Sequence, residues 1–171
     1  MNNLRIRQAT INDAQSIRDV LTASQWFTYD LLFDKEYIQK LISHYYNIAR
    51  IKDEIRNVSS KWHGYYIAEE HGSVTGVIGG GMLDQTTAEV YVFYIDPILR
   101  GRGIGTRLLN SFTKIQKYRY GANEQWVAVA KGNNYGIPFY EARGFIFQHE
   151  ERSYGTKEVD QDISLKYKRK I

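Results

Sequence analysis

The stretch that decides the fold is the glycine-rich run Arg100-Gly101-Arg102-Gly103-Ile104-Gly105. It lies between the most strand-like segment of the chain, residues 88–95 (AEVYVFYI), and a series of apolar residues at helical spacing that begins after residue 103. Alternating glycines allow a tight turn that presents backbone N–H groups at the positive end of the following helix. This arrangement predicts an anion site, and a pyrophosphate is its natural occupant.

Two common phosphate motifs do not fit this run. The dinucleotide pattern G-x-G-x-x-G fails because Thr106 or Leu108 stands at the third glycine position, and no Gly-Lys-Ser/Thr follows as in a nucleotide triphosphatase. The run does match R-x-x-G-x-G. A second block, residues 133–145 (NNYGIPFYEARGF), matches N-x-x-A-x-x-F/L-Y-x-x-x-G-F, with Gly136 in place of alanine and Pro138 inside the predicted helix. On these two blocks the chain resembles the GNAT N-acetyltransferase superfamily.

The resemblance implies the GNAT acyl-CoA N-acyltransferase fold, an α/β domain of mixed α+β type whose central, mostly antiparallel, splayed sheet is flanked by helices. The element order read from the pattern, β-α-α-β-β-β-α-β-α-β-β, indicates a mixed sheet rather than a strictly alternating, doubly wound one. We expect a single GNAT N-acetyltransferase domain over residues 1–171.

The pattern also predicts individual elements. We expect a first helix from Thr10 or Asn12 to Leu21, and a second helical region from about Asp34 to Ala49. Residues 79–81, three glycines in a strand pattern, predict a bulge or a close approach to the backbone. The basic residues 166–170 are expected to form a solvated end.

The resemblance implies acetyl-CoA as co-substrate. The backbone of strand residues 93–95 would pair with the pantetheine arm, and the N–H groups of residues 101–106 would hold the pyrophosphate. The implied coenzyme-binding residues are Phe93, Tyr94, Ile95, Arg100, Gly101, Arg102, Gly103, Ile104, Gly105, Thr106, Asn133 and Tyr140. Any Cβ at Gly103 or Gly105 is expected to block the turn and the close approach. Asn133 alternatively caps a helix, and the two arginines are alternatively solvated.

Two residues are candidates for proton transfer. The resemblance implies that Tyr140 protonates the leaving thiolate, although it is alternatively a core tyrosine beside Phe139. An alkylamine is neutral in only about one molecule in 2,500 at pH 7, so a general base is useful. Glu89 is the candidate, with a water relay or a merely solvated Glu89 as alternatives. With regular pairing Glu89 would share a strand face with Phe93 and Ile95.

The predicted reaction is direct attack of a bound primary amine on the thioester in a ternary complex. The chain contains no cysteine, which removes the usual acyl-enzyme route, and its histidines lack metal-site spacing, so we expect no metal. The modest net charge of +4 and the lack of a long apolar run predict no nucleic-acid partner, no membrane span and a cytoplasmic location.

The acceptor is expected to be a small-molecule amine, with a homodimer left open. Aromatic residues of the segment 26–46 could hold an alkylammonium by cation–π contact, or simply pack. The layout, including Tyr154-Gly155 followed by Glu158, Asp160 and Asp162, looks most like bacterial small-amine acetyltransferases of the PaiA type. The alternatives are a protein N-terminal or lysine acetyltransferase, a catalytically silent acyl-CoA sensor, and a nucleic-acid binder with a basic face.

Overall fold

The computed structural model describes residues 3–152 and 162–171, so Tyr154, Gly155, Glu158 and Asp160 lie outside the described residues. One seven-stranded sheet forms its centre, in the order β1-β2-β3-β4-β5-β7-β6. All neighbouring strands are antiparallel except the parallel pair β4–β5. The strands are β1 (Leu4–Gln8), β2 (Tyr65–Glu70), β3 (Ser73–Met82), β4 (Thr87–Ile95), β5 (Glu124–Ala130), β6 (Ile146–Arg152) and β7 (Ile163–Lys170). The predicted mixed, mostly antiparallel sheet is confirmed.

Helices cover both faces of this sheet. They are α1 (Ala14–Tyr29), α2 (Lys35–Tyr45), α3 (Ile48–Arg56), α4 (Ile104–Lys114) and α5 (Gly136–Glu141). The apolar sides of α1 and α3 pack with Ile67 and Val77 on one face. Those of α4 and α5 pack with Ile78, Val90 and Val127 on the other. Within the described ranges, no helix combines the length and the apolar character needed to cross a bilayer.

Two helix boundaries differ from the prediction. Helix α1 continues beyond Leu21 to Tyr29. The pattern did not predict this extension because the next inward-facing residues, Ser24, Gln25 and Thr28, are polar and interrupt the apolar periodicity. The single helix predicted over 34–49 is two helices. The break falls at Asn47, whose side chain accepts a hydrogen bond from the Arg50 N–H at 2.9 Å and so starts α3.

The three-glycine run behaves as predicted. Between Gly79 and Gly80 the register of β3 against β4 shifts, which leaves Tyr91 as an extra residue in β4. A Cβ at Gly80 would collide with the backbone carbonyl of Glu89, and one at Gly81 with that of Lys61. The glycines therefore allow the bulge and the close packing of backbone on backbone.

The prediction of a solvated basic end is wrong. Residues 163–170 form β7, which lies between β5 and β6. Because the strand is enclosed between two others, its side chains are mostly covered, and Lys166 is only 12% exposed and forms an ion pair with Glu89. Arg169 donates hydrogen bonds to the Arg143 carbonyl at 2.9 Å and to the Gln125 side chain at 3.0 Å.

Candidate active site

The sheet opens between β4 and β5. These strands pair only from Thr87 with Glu124 to Val90 with Val127, although β4 continues to Ile95 and β5 to Ala130. The bulge at Tyr91 follows directly after the last pair, and a bulge bends its strand. The two strands therefore separate beyond Val90, and this is the predicted splay.

The half of β4 beyond the bulge presents backbone groups to the opening. The Asp96 N–H donates to the Thr75 carbonyl at 2.9 Å, and partners alternate along an antiparallel ladder. The N–H and C=O of Tyr94 therefore face β3, whereas those of Phe93 and Ile95 face away from β3, toward the opening. Tyr94 contributes its side chain to the opening rather than its backbone.

A cavity of about 530 Å³ lies on the α4 side of the opening, bounded by the start of α4, the free half of β4 and α5. Every predicted coenzyme residue lines it except Arg102. The Arg102 guanidinium instead forms an ion pair with the buried Glu70 at 3.0 Å. The cavity therefore gathers residues from two sequence blocks that are separated by β5.

The glycine loop forms one end of this first cavity. Gly101 and Gly103 both have φ of +80°, which L side chains rarely adopt, and a Cβ at either position would meet no atom within 4 Å. The first N–H groups of α4, which starts at Ile104, have no acceptor within the helix and carry its positive dipole end. Backbone conformation, not crowding, requires glycine at 101 and 103.

Gly105 differs from its neighbours. It lies inside α4 without a positive φ, and a Cβ there would lie 3.4 Å from the Phe139 ring, an ordinary contact. The expectation that a Cβ at Gly105 would block the turn is therefore wrong, because the turn ends before this residue.

Arg100 is the predicted arginine that faces the first cavity. Its guanidinium lies 4.7 Å from the centre of the Phe27 ring and 4.6 Å from that of Tyr135, and it donates to the Thr28 hydroxyl at 3.3 Å. Two aromatic rings thus hold the cation in place at the edge of the cavity.

Arg143 belongs to the second motif block and had no predicted role. It lines the first cavity, donates to the Thr106 hydroxyl and to the Phe139 carbonyl at 2.8 Å, and lies over the Phe139 ring. Its buried Nε has no hydrogen-bond partner among residues 3–152 and 162–171. The signal was present, because this arginine belongs to the second motif block and precedes the Gly144 turn.

Asn133 has a local structural role. Its side-chain oxygen accepts hydrogen bonds from the N–H groups of Tyr135 at 3.0 Å and Gly136 at 2.9 Å, which confirms the alternative that it caps the start of a helix. A Cβ at Gly136 would lie 2.8 Å from Val129, so this departure from alanine suits the packing. Pro138 lies in the first turn of α5, where it interrupts no helical hydrogen bond.

Tyr140 belongs to the core and to the cavity wall together. It is 7% exposed, and its ring packs against Phe93, Phe139 and Phe145 at centroid distances of 6.3, 5.5 and 5.3 Å. Burial, reinforced by Tyr94, raises the pKa of Tyr140 above the ordinary tyrosine value. The hydroxyl is therefore protonated at neutral pH and can donate a proton.

A second cavity, of about 700 Å³, lies on the other side of the opening. Both cavities are lined by Tyr29, Val90, Tyr91, Tyr94 and Ala128, so they meet where β4 and β5 separate. The second cavity has an aromatic wall made by Phe33, Tyr45, Tyr46, Trp62 and Tyr65. Four carboxylates also line it, those of Glu54, Glu89, Glu151 and Asp162.

Glu89 lines the second cavity only. Phe93 and Ile95 pack with Val90 on the α4 face, and the bulge between them and Glu89 breaks the alternation. The expected shared strand face is therefore wrong. The Glu89 carboxylate is nearly buried and accepts a hydrogen bond from the Lys166 ammonium at 2.5 Å, so any proton transfer to Glu89 takes place beside this ion pair.

Hydroxyl groups cluster at the junction of the cavities. The Tyr29 and Tyr94 hydroxyls lie 3.2 Å apart. Burial, and next the nearby Tyr94, raises the pKa of both Tyr29 and Tyr46 well above the ordinary value. The Tyr29 hydroxyl at the junction and the Tyr46 hydroxyl in the second cavity are thus neutral at physiological pH. In the part of the chain that the structure describes, no group of three or more His, Asp or Glu residues is placed to bind a metal ion.

Two N-acetyltransferases are similar to this chain in sequence. A spermidine N(1)-acetyltransferase of Thermoplasma acidophilum is 27% identical over 152 residues, which cover 88% of this chain and 93% of that protein. An uncharacterized N-acetyltransferase of Methanocaldococcus jannaschii is 31% identical over 123 residues, which cover 66% of this chain but only 50% of that protein.

Solved structures share the fold over nearly the whole chain. The crystal structure of PaiA N-acetyltransferase from Thermoplasma acidophilum in complex with coenzyme A superposes with a TM-score of 0.82 at 25% identity and covers 98% of this chain and 99% of that one. The structure of Ard1 from Thermoplasma volcanium has a TM-score of 0.73 at 21% identity, over 98% of this chain and 97% of its own, and supports the fold alone.

The family model matches over the same elements that build the site. The model for the acetyltransferase (GNAT) family covers residues 26–145, a range that contains the glycine loop, the sheet opening and the whole of α5. With both motif blocks lining one cavity inside that range, this chain belongs to the acetyltransferase (GNAT) family.

Proposed function

We propose that this protein is an acetyl-CoA-dependent N-acetyltransferase that transfers an acetyl group to a primary amine by direct attack in a ternary complex. The observation that carries the proposal is the meeting of two cavities where β4 and β5 separate. One cavity ends at the start of a helix, and the other is lined by aromatic rings and carboxylates. This layout allows two substrates to approach one point from opposite sides.

The first cavity fits the coenzyme. In our proposal the loop N–H groups and Arg143 bind the pyrophosphate, and the Phe93 backbone groups together with the Ile95 N–H pair with the amides of the pantetheine arm, since the Ile95 carbonyl already accepts from Ser24. The arm would end beside Tyr140, where the thioester supplies the acetyl group. The coenzyme A complex of the similar PaiA protein supports this assignment.

The second cavity suits a cationic acceptor, since carboxylates and tyrosine faces attract alkylammonium groups. The similar spermidine acetyltransferase supports a small amine of the polyamine class. During transfer a nitrogen–carbon bond forms and the carbon–sulfur bond breaks. In our proposal Glu89, directly or through water, takes the amine proton, and the Tyr140 hydroxyl donates its proton to the leaving thiolate.

The test is release of free thiol from acetyl-CoA across a panel of amines, with acetylated products identified by mass spectrometry. We expect release with small amines, and loss of both coenzyme binding and release in Gly103→Trp, because tryptophan is strained at a φ of +80° and fills the loop. Glu89→Gln should lower kcat/KM and leave coenzyme affinity unchanged.

Two results would contradict the proposal. Undiminished activity of Gly103→Trp would remove the assigned loop from coenzyme binding. Tight binding of acetyl-CoA with no thiol release from any amine would instead indicate a catalytically silent acyl-CoA sensor.

A further inference from the structure

Asp162 is a buried carboxylate in the wall of the second cavity. It is 7% exposed, and its Oδ2 accepts a hydrogen bond from the Tyr37 hydroxyl at 2.5 Å. Its other oxygen, Oδ1, is buried and has no hydrogen-bond partner within residues 3–152 and 162–171. A buried carboxylate oxygen without a donor is costly, so this atom is suited to a donor supplied by a ligand.

The other carboxylates of the cavity have cationic partners. Glu54 pairs with Arg50 at 2.8 Å, and Lys166 pairs with both Glu89 at 2.5 Å and Glu151 at 3.7 Å. Asp162 has no Lys, Arg or His within 4.0 Å in the part of the chain described here. Of the four carboxylates in the cavity wall, Asp162 is therefore the one without a cationic partner among the described residues.

Aromatic rings connect Asp162 with the junction of the two cavities. The Tyr29 hydroxyl lies 3.2 Å from that of Tyr94 at the junction. The Tyr29 and Phe33 ring centres are 5.5 Å apart, those of Phe33 and Tyr37 are 5.1 Å apart, and Tyr37 contacts Asp162. An alkyl chain can lie along these rings.

We infer that Asp162 binds a second, non-reacting ammonium group of the acceptor amine, an inference that rests on the proposed function. The reacting amine lies at the junction, the alkyl chain follows the rings, and the distant ammonium donates to Oδ1. Tyr37 holds the carboxylate through Oδ2. Asp162 is then the residue that makes the enzyme prefer amines with two or more amino groups over monoamines.

The experiment compares diaminohexane with hexylamine, which differ only in the second amino group, as acceptors for wild type and Asp162→Asn. Asparagine keeps the shape and can still accept from Tyr37. We expect KM for diaminohexane to rise about tenfold or more, since a charge-assisted hydrogen bond is lost, with hexylamine changed less than about twofold. Glu36→Gln is the matched control, because it removes a charge from the adjacent but exposed position of α2.

An equal loss for both amines, or no loss for either, would overturn the inference. Calorimetric titration of diaminohexane keeps its failure separate from that of the proposed function. If no amine releases thiol, weaker binding of diaminohexane to Asp162→Asn than to wild type still supports the ammonium site. Equal binding to the two proteins, or no binding to wild type, rejects it. Should Asp162→Asn not fold, Tyr37→Phe must raise KM for diaminohexane alone.

Discussion

Tyr140 shows, at the scale of single residues, how a core side chain can also line a cavity. Its ring is enclosed by three phenylalanines, which hold the hydroxyl in one position in the wall of the first cavity. Because burial raises its pKa, the group remains an acid over the whole physiological pH range. Packing thus supplies both the orientation and the protonation state that a proton donor needs.

Replacement of Tyr140 by phenylalanine should lower kcat by about ten- to a hundredfold, because the thiolate must then leave without a proton donor. The KM for acetyl-CoA and the melting temperature should change little, since the ring remains packed. Steady-state kinetics measure kcat and KM, and thermal melts measure the melting temperature. Tyr118→Phe, at a position 76% exposed, is the control and should behave as wild type. A fall in melting temperature that accounts for the lost activity would argue for a structural role only.

At this scale the sequence indicated most residues of the first cavity but few of the second. The glycines and Tyr140 belong to motifs with fixed spacing, and in the structure they line one cavity. Asp162 and Lys166 carry no local signature. Their importance arises because β7 is inserted beside β5, a long-range pairing that residue spacing does not encode.

At the scale of elements, the turn into α4 separates two kinds of glycine. Gly103→Ala should lower the free energy of unfolding by about 1 kcal/mol, because alanine is strained at a positive φ. It should also weaken acetyl-CoA binding, since the N–H groups of the turn are displaced. Gly105→Ala should retain stability and binding, because its Cβ would lie 3.4 Å from Phe139 in a helical position.

Chemical denaturation and calorimetry with acetyl-CoA compare these two variants, which differ only in position. Equal stability of Gly103→Ala and Gly105→Ala would show that the left-handed turn is not needed. Equal coenzyme affinity would show that the turn does not bind the pyrophosphate.

Element boundaries were less predictable than element types. Strands rich in β-branched and aromatic residues, such as β4, were found at nearly the predicted positions. Helix α1 was predicted too short because Ser24 and Thr28 face inward, and Ser24 bonds the Ile95 carbonyl at 3.0 Å. Polar residues that serve the site interrupt the periodicity from which a helix is recognised.

At the scale of the whole molecule, His63 makes stability depend on pH. It is fully buried and stacks on Tyr120 at 3.7 Å, and neither ring nitrogen has a hydrogen-bond partner in the described ranges. Burial lowers the pKa of His63 from 6.5 to about 4. Between pH 6.5 and about 4, His63 therefore binds a proton in the unfolded chain but not in the folded protein. This part of the stability is complete above pH 6.5 and is lost as the pH falls toward 4.

His63→Phe should flatten this dependence, because phenylalanine retains the stacking and cannot titrate. Between pH 6 and 5 the free energy of unfolding of wild type should fall more steeply than that of the variant, by up to about 1.4 kcal/mol per pH unit. Denaturant titrations at several pH values measure the difference. His71→Asn, at an exposed site, should leave the slope as in wild type. Parallel curves for wild type and His63→Phe would refute the assignment.

The place of β7 in the sheet has a consequence for how the molecule is made. Strand β6 precedes β7 in the chain but has no sheet neighbour in the described fold other than β7, so it must wait for that strand during synthesis on the ribosome. All described residues in the wall of the first cavity are translated by position 143, whereas the second cavity also contains Glu151, Asp162, Ser164 and Lys166. A nascent chain thus contains every residue of the first cavity before it contains the residues that β6 and β7 contribute to the second.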